Sequence, residues 1–296
     1  MPLPYHEILK THCRPLEPIP TDLPSVLGRL EGVRAVLFDL YGTLFISGTG
    51  EVGTLRESAC DESLSGALKA MGIPLLRRVR EAVQLVFDVI EDSHAASRRA
   101  GIEYPEVDIV EVWRQVVTEL ARRGVLEERD WKRAELERLA VEYEARANPV
   151  WPMPGLEACL RSLSEGGVLL GVVSNGQFYT RELFPALLGG PAEAWGFDRD
   201  LQYYSYRHGL AKPGLDLYRM AAESLARRGV EPAGVLYVGN DMLNDVCPAF
   251  QVGFRTALFA GDRRSLRLRE GDPQLDGVKP DLVLTHLAEL SECILI

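Results

Sequence analysis

The chain has 296 residues, enough to bury a sizeable core and to divide into two domains of ordinary size. Its 33 Lys and Arg are outnumbered by 43 Asp and Glu, and a net charge of -10 gives no electrostatic footprint for nucleic acid or for an anionic membrane. Five cysteines (Cys13, Cys60, Cys159, Cys247 and Cys293), widely spread and free of CxxC spacing, argue against a disulfide framework and a zinc site and favour a reducing compartment.

Residues 1–30 form a Pro-rich N-terminal arm with Pro2, Pro4, Pro15, Pro18, Pro20 and Pro24, which break any long helix and leave an arm or short turns. The opening "MPLPYHEILKTHCRPLEPIP" has neither the basic nor the apolar region of an export signal, and no apolar run reaches the length of a membrane span. The expectation is a soluble cytoplasmic protein, a monomer or homodimer, that handles a small-molecule substrate. No period of repeat length recurs.

From residue 34 short apolar runs alternate with helical stretches: "RAVLFDL", "VLLGVVSN", "LQYYSY", "GVLYVGND" and "TALFAG" read as strands. They are apolar on both faces, which predicts an α/β fold with a Rossmann-like parallel sheet covered by helices on two sides and ligands at the carboxyl ends of its strands. Between 54 and 148 this grammar gives way to helical stripes. Val79, Ala82, Val83, Val86, Phe87 and Ile90 form the first. Ile109, Val112, Trp113, Val116 and Leu120 form the second, with Asp108 and Glu111 spaced as a capping box. Leu136, Leu139, Ala140 and Tyr143 form the third. The expected organisation is a catalytic core made of 31–53 and 149–296, interrupted by an all-helical insert, 54–148. The crossings "SGTGEVGT" and "NPVWPMPG" read as domain joints.

Four strand ends deliver polar groups: Asp39 with Gly42 and Thr43; Ser174, Asn175 and Gly176; Lys212; and Asn240, Asp241, Asn244 and Asp245. A lone Asp after a strand is more often a helix cap than a nucleophile, and a lone Lys more often a solvated charge; the combination carries the inference. Asp39 suits nucleophilic attack through a covalent intermediate. Attack on a phosphorylated substrate brings two anions together, so Lys212 and a divalent cation would supply positive charge. Asp39, Asp241 and Asp245 are the candidate ligands, and hard oxygens favour magnesium. Ser174, with the N–H groups of Asn175 and Gly176 opening a helix, would bind phosphoryl oxygens.

"FDLYGTLF", "VVSNG", "AKPGLDLY" and "YVGNDMLNDV", in this order, resemble the four motifs of the haloacid dehalogenase superfamily, whose members are mostly phosphohydrolases. The resemblance covers 34–45 and about 150–290 and places the insert where that superfamily carries its substrate-selecting cap. It implies that Asp39 is the nucleophile, that Ser174 and Lys212 stabilise its charge and the transferred group, and that the acids of the fourth motif bind magnesium together with the backbone carbonyl of Tyr41.

Two of the motifs depart from type. The superfamily's phosphatases carry an acid two residues after the nucleophile, a general acid and base commonly worth about two to four orders of magnitude in rate; here stands Tyr41, as in the 2-haloacid dehalogenases, whose halide leaves without a proton. In those dehalogenases the fourth motif resembles "SSNAWD", whose Asn and Trp are replaced here by Met242 and Asn244, while Asp241 adds an acid suited to a metal and Asn240 replaces the usual first acid. The sequence expectation is a magnesium-dependent phosphatase, with haloacid dehalogenation second and a catalytically degenerate binding module third.

"GTGEVG" (48–53) matches GxGxxG but follows Asp39 too late for a dinucleotide site and reads as a hinge. His94 extends the first helical stripe and reads as a buried core histidine, or alternatively as a substrate-facing residue or proton donor. Arg98, Arg99 and Glu103 read as surface charges or substrate contacts. Arg263, Arg264, Arg267 and Arg269 read as a solvated loop that could flank the site, and Phe178 and Tyr179 as packing.

Overall fold

In the computed structural model, which describes residues 3–49, 57–78 and 82–294, the apolar runs become strands. In chain order these are β1 (Ala35–Phe38), β2 (Phe45–Ser47), β3 (Val150–Pro152), β4 (Leu169–Ser174), β5 (Phe197–Tyr204), β6 (Val235–Gly239), β7 (Arg255–Phe259) and β8 (Leu282–Leu284). Six of them form one sheet in the order β5-β4-β1-β6-β7-β8, with every neighbouring pair parallel. This is the Rossmann-like arrangement expected from double-faced apolar strands. β8 escapes the sequence pattern because only three residues pair.

The helices are α1 (Tyr5–His12), α2 (Glu57–Ala70), α3 (Ala82–Arg99), α4 (Ile109–Arg122), α5 (Arg133–Ala147), α6 (Leu156–Glu165), α7 (Leu183–Leu188), α8 (Ser205–His208), α9 (Asp216–Ala226), α10 (Cys247–Gln251) and α11 (Ala288–Cys293). β1 shows how they cover the sheet. Val36 and Phe38 join the cluster containing Leu160 and Leu163 of α6 and Leu290 of α11, whereas Ala35 and Leu37 join the one containing Leu217, Ala221 and Leu225 of α9. All four β1 residues are fully buried, as the alternation of side chains across a two-sided sheet requires. Each large one contributes roughly 1.5–3 kcal/mol of burial.

Helices α2 to α5 lie between β2 and β3, and those two strands pair antiparallel, Phe45 with Pro152 and Ser47 with Val150. The Ser47 hydroxyl donates to Asn148 Oδ1 (2.8 Å) and Gly48 N to the Pro149 carbonyl (2.8 Å), so the outgoing and returning chains form one ribbon. The rest of the expected hinge, residues 50–53, and Val79 of the first stripe lie outside the described residues.

In α4, Asp108 accepts from Val110 N (2.9 Å) and Val112, Trp113, Val116 and Leu120 are buried, as their spacing predicts. Glu111 pairs with Arg114 at 3.2 Å. The Pro-rich arm contains a helix that was not expected: α1 fits between Pro4 and Pro15 and buries Ile8 and Leu9 in the cluster shared with α5 and α7. Among the described residues, no helix is long and apolar enough to cross a membrane.

Candidate active site

β4, β1 and β6 are adjacent, so the residues at their carboxyl ends meet at one edge of the sheet. Asp39 follows β1 and is only 6% exposed. Its Oδ1 accepts from the Ser174 hydroxyl at 2.8 Å and from Lys212 Nζ at 2.8 Å. Among the described residues its Oδ2 carries no hydrogen bond, which leaves that oxygen's lone pairs available for attack.

Lys212 Nζ also donates to Asp245 Oδ1 at 2.5 Å and to the Tyr237 hydroxyl at 3.2 Å. Burial works against the ammonium charge, but the carboxylates of Asp245 and Asp39 outweigh it and raise the lysine above its ordinary value. Burial likewise pushes the Asp245 carboxyl up, to about 6, against the opposing pull of Lys212. The Lys212 backbone is clamped by the Asn175 side chain, which accepts from Lys212 N (2.8 Å) and donates to its carbonyl (3.2 Å).

The turn after β6 is wound as a π-helical segment, Met242–Val246, capped by Asp241. Such segments often accompany functional sites. Asp245 folds back over Gly239, where an added Cβ would stand 2.4 Å from the Asp245 carboxyl carbon, and its Oδ2 accepts from Asp241 N at 2.9 Å. Glycine at 239 therefore permits the carboxylate to reach Lys212. Tyr237 was missed by sequence reasoning, since on β6 it reads as core. Its hydroxyl donates to the Val173 carbonyl (2.8 Å) and lies 3.1 Å from Asp245 Oδ1.

Several expected site residues have other partners. Thr43 donates to Asn240 Oδ1 at 3.1 Å, and Asn240 Nδ2 donates to the Ser265 carbonyl at 2.6 Å. Gly42, at φ 82°, lies against Ser265, whose Cβ would be 2.4 Å from a Cβ added there, and the buried Ser265 hydroxyl has no hydrogen-bond partner among the described residues. The Asp241 carboxylate accepts from Leu243 N (2.9 Å), Asn244 N (3.2 Å) and Asn244 Nδ2 (3.1 Å). Arg269 adds Nε to Oδ1 (3.2 Å) and Nη2 to Oδ2 (2.7 Å). Arg269 holds φ 53°, a region costing a non-glycine residue of order 1–3 kcal/mol.

The magnesium expectation therefore meets an ill-suited donor set. Asp241 is saturated by the turn's own N–H groups and by a guanidinium, Asn240 stands where an acid is usual, and Lys212 occupies the space between Asp39 and Asp245. Among the described residues, no three carboxylate, imidazole or thiol groups converge to hold a metal ion.

The phosphate cradle also differs from expectation. No helix opens at Asn175; a 3₁₀ turn begins at Thr180 and leads into α7. Gly176 N donates to the Ser205 hydroxyl (2.9 Å), which donates to Glu106 Oε2 (2.5 Å). Burial pushes Glu106 above the usual carboxylate range. Glu106 sits on the connection from α3 to α4 and ties that segment to the edge of the sheet, a contact with no local sequence signal.

The Tyr41 hydroxyl lies 3.3 Å from Thr180 Oγ1. Burial, then the charge of Glu144, push its phenol far up, making it a poor proton donor. The Tyr179 hydroxyl reaches Glu144 Oε2 at 3.4 Å, and Phe178 packs edge-on to Tyr5 and Tyr179 as expected. His94 Nε2 is buried without a hydrogen-bond partner among the described residues, and no hydrogen bond there links His94 to Asp39. Arg98, Arg99 and Glu103 are exposed. Arg263 pairs with Asp22 (2.9 Å) and Arg264 with Asp262 (3.0 Å).

A nucleophile-ready carboxylate, a hydroxyl and a buried ammonium at the edge of a parallel sheet can form and break down a covalent aspartyl intermediate. The fold has relatives among solved structures. A 2-haloacid dehalogenase from Pseudomonas syringae pv. Tomato superposes with a TM-score of 0.57 at 18% identity, covering 88% of this chain and 97% of that one. An L-2-haloacid dehalogenase gives 0.50 at 24% identity over 88% and 98%. CbbY from Rhodobacter sphaeroides, in complex with phosphate, gives 0.50 at 18% over 87% and 96%. No curated protein sequence matches significantly. A family model, haloacid dehalogenase-like hydrolase, matches residues 33–253. The chain belongs to the haloacid dehalogenase-like hydrolases.

Proposed function

We propose that the protein hydrolyses a small anionic substrate through a covalent intermediate on Asp39, and that its reaction is displacement of halide from a short 2-haloacid. The observation that carries this reading is the placement of Lys212 Nζ at 2.8 Å from Asp39 Oδ1 and 2.5 Å from Asp245 Oδ1, which provides the charge for an anionic transition state from the chain itself. Asp39 Oδ2 attacks C2, the carbon–halogen bond breaks, and halide departs with the bonding electrons. Water then adds to the ester carbonyl carbon, the acyl C–O bond breaks, and the 2-hydroxy acid and Asp39 carboxylate are released, with one proton lost to solvent.

Tyr41 supports a leaving group that needs no proton, because its phenol is a poor acid at neutral pH. The segment 54–148 acts as the cap over this edge, and Glu106 is its tether. The structural neighbours include both dehalogenases and a phosphate complex at identities that speak only to fold, so substrate class rests on the site.

Phosphate ester hydrolysis is the second reading, favoured by the acid at 241 beside Asp245. It requires Arg269 to release Asp241. The test is a parallel panel of short 2-haloacids and phosphate monoesters, with and without magnesium. Magnesium-independent halide release that Asp39→Asn abolishes is the expected result, and turnover confined to phosphates with magnesium would reject the first reading.

A further inference from the structure

The loop that follows β7 reaches the reacting edge from outside the four motifs. Arg267 N donates to the Asn240 carbonyl (3.0 Å) and Met242 N to the Arg267 carbonyl (2.9 Å), so the loop runs beside the π turn as a short parallel bridge. From that register Arg269 forks onto both oxygens of Asp241. The Pro-rich arm holds the loop from behind. Arg263 N donates to the Ile19 carbonyl (2.8 Å), Thr21 Oγ1 to the Ala260 carbonyl (2.7 Å), and Arg264 to the Glu17 carbonyl.

We propose that Arg269 is a positioning residue that supplies to the Asp241 turn the positive charge a divalent cation would otherwise supply. A carboxylate offers about four lone-pair sites. Asp241 Oδ1 already accepts from Leu243 N, Asn244 N and Arg269, and Oδ2 from Asn244 Nδ2 and Arg269. No lone pair remains for a metal. Without Arg269 the edge would, among the described residues, set the carboxylates of Asp39, Asp241 and Asp245 against the ammonium of Lys212, an imbalance costly in a buried setting. The planar guanidinium fork meets both oxygens at once and fixes the turn that presents Asp245 to Lys212. This inference rests on the proposed function in taking the Asp39 edge as the reacting one and its reaction as independent of a divalent cation.

The test uses the full chain without substrate, so its outcome does not depend on which substrate is turned over. The melting temperatures of the wild type, Arg269→Gln and Arg269→Lys are followed in chelator and then in rising magnesium. The wild type is expected to show no magnesium-dependent shift. Arg269→Gln should melt several degrees lower in chelator and recover at least half of that loss with millimolar magnesium, while Arg269→Lys should regain part of it without metal. A wild type that is stabilised by millimolar magnesium, or an Arg269→Gln protein that melts like the wild type and ignores magnesium, overturns the proposal. If Arg269→Gln does not fold, calorimetric titration of the wild type with magnesium decides: no binding heat is expected, and binding at micromolar metal overturns it.

Discussion

Lys212 and Asp245 share a buried contact of 2.5 Å, and the same ammonium lies 2.8 Å from Asp39, so one cation bridges the candidate nucleophile and the turn after β6. Removing one partner from such a group leaves an uncompensated buried charge, at a cost of about 3–5 kcal/mol. Lys212→Met should therefore destabilise the protein by this order in urea denaturation and abolish turnover. Asp245→Asn keeps the shape but loses half of the clamp on Lys212, so turnover should fall more than stability does. Equal, small losses in both variants would contradict the bridge.

Gly239→Ala places a methyl group 2.4 Å from the Asp245 carboxyl carbon. Overpacking of this kind costs about 1–3 kcal/mol, and here the group forced to move is the one that holds Lys212. Thermal denaturation should show the loss, and kcat should drop because the ammonium loses its seat. An alanine variant with unchanged kcat would show that Asp245 need not fold back over residue 239.

Asn175→Ala removes both hydrogen bonds from the side chain to the Lys212 backbone. Two such bonds are worth about 1–3 kcal/mol. The expected signature is a fall in kcat at nearly unchanged KM, since the Lys212 charge is retained but its position is not. If KM rises instead and kcat holds, Asn175 binds substrate directly.

Glu144 accepts from Asn148 Nδ2 (3.1 Å) and faces the hydroxyl of Tyr179, while its charge also acts on Tyr41. Burial raises it above its ordinary value of 4.5. Above that value the unfolded chain has lost the proton while the folded chain still holds it, so stability contributed by this group falls as pH rises. Glu144→Gln should remove this slope: its melting temperature should gain on the wild type as pH rises above the ordinary carboxylate range. Parallel melting curves across that range would contradict the assignment.

Asp39, Ser174 and Asp245 were legible because each lies in a short motif at or just after the end of an apolar strand, and a parallel sheet brings such ends together, while Lys212 was legible from its motif, which follows β5 beyond the short helix α8. The partners that set their geometry were not. Tyr237 stands within β6 and reads as core; only the fold shows its hydroxyl beside Lys212. Arg269 is 28 positions from Asp241, and a run of arginines in a loop resembles a solvated surface until the loop is seen paired with the turn. Asp241 reads as a metal ligand because a carboxylate beside motif acids suits one, whereas its hydrogen bonds make it a helix cap and an arginine partner. The ribbon of β2 and β3 and the strand β8 each pair over three residues, too few for a periodic signal. The helix α1 is hidden among prolines that end it rather than prevent it.

The route of one oxygen atom tests the central claim most directly. A single turnover of a 2-haloacid by excess enzyme, run in water enriched in the heavy oxygen isotope, should leave the label in the Asp39 carboxylate, because water adds to the ester carbonyl and the product keeps an oxygen that came from Asp39. Mass analysis of the peptide containing Asp39 reads this out. Heavy oxygen in the product with none in Asp39 would contradict the account.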